Sequence, residues 1–85
     1  MEQNISFNQL NIITDQSTAA ILGNIKKIRL EKQYSQTYLA SKLGLSPTAY
    51  SKIELGRSKM TLSALFQISA ILETDLAKIL PFAYE

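Results

Sequence analysis

Eighty-five residues, 46% hydrophobic and 19% charged with three Gly and two Pro, specify one small folded domain and exclude a collagen-like or largely disordered chain. The absence of Cys and His removes disulfide scaffolds, thiolate metal sites, the commonest general base and the commonest zinc ligand, so neither cofactor nor metal is expected. A net charge of +2 hides a basic middle third suited to a polyanion such as nucleic acid: residues 26–59 carry eight basic against two acidic side chains, between flanks of −2 each.

Residues 1–18 are rich in Asn and Gln and read as an N-terminal extension. Ile5 and Phe7, then Leu10 and Ile12, alternate with polar neighbours, as in a short strand that would pair with its copy in a dimer. A loose tail is the favoured reading, because chain ends fray. From Thr18 the period becomes helical: Leu22, Ile25, Ile28 and Arg29 share one face, Ser17 is a candidate cap, and Gly23 suggests a close helix–helix contact. The charge of Arg29 on an inner face demands a partner.

Ser35 caps a short second helix with Leu39, Ala40 and Leu43 inward, and Gly44 stops it. Ser46-Pro47 opens a third, with Ala49, Tyr50 and Ile53 inward and Gly56 at its end. Thr61 caps a fourth, whose apolar stripe of Leu62, Leu65, Phe66, Ile68 and Leu72 reads as core. A fifth starts near Thr74 or Asp75, carries Leu76, Ile79 and Leu80, and ends at Pro81. Phe82, Ala83 and Tyr84 form an apolar end that would pack on the core or serve a dimer. Three caps are bracketed by apolar pairs five residues apart (Tyr34 and Leu39, Leu45 and Tyr50, Met60 and Leu65), the spacing of a hydrophobic staple. The fold class is therefore all-α, four to five short helices around one core. Apolar runs are too short to span a bilayer, and no Lys or Arg precedes Lys26, unlike a signal peptide. A cytoplasmic protein is expected.

Only Gly44, Leu45 and Ser46 join helices two and three, so their axes must diverge steeply, as in a helix-turn-helix. The segment QTYLASKLGLSPTAYSKIEL at 36–55 closely resembles the helix-turn-helix of the XRE family, the lambda-repressor-like DNA-binding domains. Ala40 stands at the family's small contact residue, Gly44 at its turn glycine and Ile53 at its late apolar position. Ile25-Lys26-Lys27-Ile28-Arg29 and Ser35-Gln36 match upstream, and Glu54-Leu55-Gly56-Arg57 matches downstream. The resemblance covers about residues 20–80 and implies a lambda-repressor-like bundle, with the DNA-binding domain over 19–85. Two positions depart from the pattern: Tyr50 replaces an inner Val or Ile, and Pro47 replaces a long polar side chain.

In a helix-turn-helix the second helix of the motif enters the major groove, which here is helix 47–54. Thr48 and Lys52 are the first candidates for base contacts, with Ser51 and Pro47 beside them; proline offers only an apolar contact. Candidate phosphate contacts are Gln36 at the start of helix two, Ser46, and the loop residues Arg57, Ser58 and Lys59. The resemblance implies an ion pair between Arg29 and Glu54 that is structural rather than catalytic. The expected function is sequence-specific transcriptional regulation by a homodimer on palindromic double-stranded DNA. The alternative is an antitoxin-like or other protein-interaction module with weak DNA binding, whose partner is a toxin or another regulator. An enzyme is disfavoured: there is no phosphate loop, nor paired acids.

Overall fold

The computed structural model describes residues 4–81, which form five helices and no strand. They are α1 (Phe7–Glu31), α2 (Gln36–Leu43), α3 (Pro47–Glu54), α4 (Leu62–Ile71) and α5 (Leu76–Ile79). Residues 82–84, the apolar end, lie outside the described range.

Four of the helices start on a side-chain cap. Ser35, Ser46 and Thr61 accept from the backbone N–H groups of Tyr38, Ala49 and Ala64 at 3.0, 3.1 and 3.0 Å. Ser6 opens α1 with a reciprocal box: Gln9 N–H donates to its hydroxyl, and its own N–H donates to Gln9 Oε1. Asp75 precedes α5 without a side-chain cap bond. Gly44 and Gly56, at φ 71° and 79°, take left-handed conformations after α2 and α3. The ends of α1 and α4 lack glycine. There Gln33 and Glu73 adopt φ 61° and 50°, each at a cost of about 1 kcal/mol.

The first helix corrects the expectation of a tail or strand. Residues 7–17 are its first three turns, Ser17 lies inside it, and the expected boundary at residue 18 falls mid-helix. The Ser6–Gln9 box supplies the nucleating cap, and neither Gly nor Pro interrupts the next thirteen residues. Alternation over four apolar residues was too short to outweigh that signal.

The core gathers around Ile25, Leu39, Ala40, Tyr50, Leu65, Ile68, Leu72 and Ile79. α2 packs on α3 and α4, while α1 packs on α3 and α5. Asn24 Nδ2 donates to the Ile79 carbonyl at 2.8 Å and pins the short α5 to α1. Two apolar expectations fail. Leu62 and Phe66 are exposed, at 74% and 58%. In α4 the apolar residues fall on both sides of the helix, so periodicity points weakly; Leu65, Ile68 and the following Leu72 take the covered face, and Phe66 lies a hundred degrees round from Leu65. Gly23 touches no helix of the protomer: a Cβ there would meet nothing within 4 Å.

Candidate nucleic-acid interface

The turn at 44–46 holds α2 and α3 together through backbone bonds and a small residue. Leu45 N–H reaches back to the Ala40 carbonyl at 2.8 Å. Ala40 is fully buried, so nothing larger than a methyl group separates the two helices there. Tyr50, Ile53 and Glu54 occupy the inward side of α3, with Tyr50 and Glu54 buried. The opposite side presents Pro47, Thr48 and Lys52, all exposed, and ends at exposed Leu55. Ser51 is only half-exposed, at the edge of that surface.

The loop after α3 is tied to the same helix. The Lys52 carbonyl accepts from Arg57 N–H at 2.8 Å and from Ser58 N–H at 3.1 Å. Gly56 makes this possible by turning left-handed against Leu22, whose Cδ1 would lie 3.3 Å from an added Cβ. Arg57, Ser58 and Lys59 are exposed beside the C-terminal end of α3. Ser46 is exposed at the other end, its hydroxyl oxygen engaged as the cap. Pro47, Thr48 and Lys52 are thus exposed on α3, with Ser46 exposed before it and Arg57, Ser58 and Lys59 exposed after it.

Behind that surface lies a buried polar network. Arg29 Nε donates to Glu54 Oε2 at 2.9 Å and Nη2 donates to Oε1 at 2.8 Å, a two-pronged pair whose side chains are 7% and 2% exposed. Arg29 Nη1 donates to the Tyr34 carbonyl at 2.8 Å. Tyr50 Oη donates to Glu54 Oε2 at 2.7 Å, and Gln36 Nε2 donates to Oε1 at 3.2 Å. No buried side-chain polar atom among the described residues lacks a partner. The end of α1, the start of α2 and the end of α3 are thus joined at one carboxylate.

Gln36 opens α2 and also reaches toward the end of α3. Its side chain is half-buried and one amide N–H turns inward to Glu54, while the backbone N–H of Tyr38 in the same turn is taken by the Ser35 cap. Nothing in the sequence signalled this link, because the two residues are brought together only by the packing of α2 on α3. The Tyr50 hydroxyl, unusual at an inner position, is accounted for by the same carboxylate.

Burial alone would push the Glu54 carboxyl up. The hydrogen bonds from Arg29, Tyr50 and Gln36 outweigh it and hold the group below the ordinary carboxylate range. The hydrogen bond to Glu54 raises Arg29, and burial followed by the bond to Glu54 raises Tyr50. A carboxyl whose folded pKa lies below its unfolded value of about 4.3 stabilises the fold fully above that value. That contribution is lost as pH falls through the folded pKa. Melting temperature should therefore drop steeply below about pH 4. In Glu54→Gln it should start lower at neutral pH and change less over the same acid range. Parallel acid profiles for the two proteins would contradict this account.

The comparisons with known proteins agree with the geometry. The family described as "Helix-turn-helix" matches residues 25–79. An uncharacterised HTH-type transcriptional regulator of Bacillus subtilis, YqaE, is 40% identical over 53 residues, 62% of this chain and 46% of that protein. The chain thus spans about half the length of this curated relative. The N-terminal DNA-binding domain of SinR from Bacillus subtilis superposes with a TM-score of 0.64 at 31% identity, over 79% of this chain and 99% of that one. Hydroxypropylphosphonic acid epoxidase from S. wedmorenis shares the fold at TM-score 0.68 and 26% identity, over 76% of this chain but only 35% of the enzyme.

Proposed function

The chain belongs to the XRE-type helix-turn-helix family, and from that premise we propose that it is a sequence-specific regulator of transcription that binds double-stranded DNA as a homodimer. The observation that carries this reading is the exposed surface of α3. Thr48 and Lys52 stand outward, flanked by Pro47 and the edge residue Ser51, on a helix, an element that a major groove admits. Lys52 would read guanine O6 or N7, Thr48 a thymine methyl or an acceptor, and Pro47 an apolar edge. Ser46, the backbone N–H groups at Gln36, and Arg57, Ser58 and Lys59 would grip the phosphates on either side. Two-fold symmetry would place two such surfaces about 34 Å apart on an inverted repeat.

The likeness to the epoxidase concerns about a third of that enzyme, and neither His nor Cys is present here to build a catalytic centre of the usual kind. A protein-interaction role is the second reading. It is favoured by the first turns of α1, where Phe7, Leu10 and Ile13 stay exposed.

A duplex titration against salt separates the two. The regulator reading expects affinity for a mixed-sequence 30-base-pair duplex to fall about a thousandfold between 50 and 200 mM salt, as released counterions require for six or more phosphate contacts. A folded sample with no duplex affinity at 50 mM salt would sink it and favour the protein partner.

A further inference from the structure

One exposed side of α1 carries a pattern that the protomer does not use. Ile12 and Leu30 stand at its ends, 54% and 55% exposed. Between them Gln16, Ala19, Gly23 and Lys26 follow at alternating three- and four-residue steps, which keeps them on one helical face. Space beside Gly23 is open. Asp15, Ala19, Gly23 and Lys26 also form one wall of a groove whose other wall is Leu55 and Gly56 at the end of α3. Asp15 is the only charged residue between positions 4 and 25. Arg29 with Glu54 is the one ion pair among the described residues, so Asp15 and Lys26 have no ionic partner among them.

These features complement themselves under a two-fold rotation. We propose that a second copy of this chain docks here, the two α1 helices running antiparallel with the axis near residue 21. In that register Ile12 of each copy covers the partner's Leu30, and Ala19 meets the partner's Gly23. The small residues at the crossing let the helix axes approach to about 8 Å. Asp15 then faces the partner's Lys26, twice by symmetry. Exposed Leu55 forms the rim onto which the incoming helix closes. A parallel arrangement would set acid against acid and base against base, so charge selects the antiparallel one. DNA is a poor occupant, since the groove holds an acid and apolar ends. The pairing deepens the homodimer in the function proposed above and rests on that reading, yet it can be tested without DNA.

Sedimentation velocity on the whole chain, from micromolar to millimolar, is the test. Four samples are compared: wild type, Asp15→Lys, Lys26→Asp, and an equimolar mixture of the two variants. Both positions are exposed, so the folds should be unchanged by circular dichroism. Wild type should dimerise, each variant alone should self-associate at least tenfold more weakly, and the mixture should recover to within a few-fold of wild type. A wild type that stays monomeric to millimolar concentration, variants that dimerise like wild type, or a mixture no better than either variant would each overturn the proposed face. A monomeric wild type that still binds duplex in the salt titration would refute this pairing and leave DNA binding standing. A charge-dependent dimer that ignores duplex would do the reverse.

Discussion

Glu54→Ala is expected to remove most of the protein's folding stability. Four side-chain hydrogen bonds converge on that carboxylate, and its removal strands the Arg29 guanidinium at 6% exposure with only the Tyr34 carbonyl as partner. Breaking a buried pair from one side costs about 3–5 kcal/mol, because the remaining charge keeps its desolvation penalty. A domain of this size has little more than that to lose. Arg29→Ala should cost a similar amount for the mirrored reason. The double variant Arg29→Met/Glu54→Leu removes both charges and fills the space, and should recover to within about 2 kcal/mol of wild type. Urea denaturation of the three variants measures all of this. A cost below about 1 kcal/mol for Glu54→Ala would mean that the pair is not the brace between α1 and α3. Because the network also holds Gln36 and the Tyr34 carbonyl, it sets where the start of α2 lies relative to α3. Partial loss should therefore weaken DNA binding before the fold is lost.

The second large effect concerns the loop after α3. Arg57→Ala/Lys59→Ala is expected to weaken binding to every duplex alike, and to reduce the slope of log affinity against log salt by about 2. Both side chains are exposed and their loop is anchored by backbone bonds to the Lys52 carbonyl, so stability should stay within about 0.5 kcal/mol of wild type. Lys52→Ala should behave differently. It should lose about 1–3 kcal/mol of discrimination at specific base pairs while the salt slope changes by about 1 or less. Equal losses of discrimination from the loop and from α3 would contradict the separation of roles between them.

The caps were legible because they act locally: Ser35, Ser46 and Thr61 each meet an N–H three residues on, and Gly44 and Gly56 take left-handed turns that other residues resist. The Ser6–Gln9 box was equally local, yet the brief alternation of Ile5, Phe7, Leu10 and Ile12 masked it. Stops at Gln33 and Glu73 had no glycine to mark them, since the chain there bears its strain with other residues. The outward α3 residues follow from helical spacing once α3 is placed. Gln36 could not be read that way, because its bond to Glu54 spans eighteen residues and depends on how α2 seats against α3. The exposure of Leu62 and Phe66 was hidden for a related reason: a short helix with apolar residues on both sides does not say which side is covered.

The central claim is that α3 reads a defined DNA sequence. Selection from a random duplex library near physiological salt, followed by sequencing of what the protein retains, tests it most directly. An inverted repeat with half-site centres about one helical turn apart should be enriched. Retained duplexes with no common sequence, from a sample shown to be folded, would contradict it.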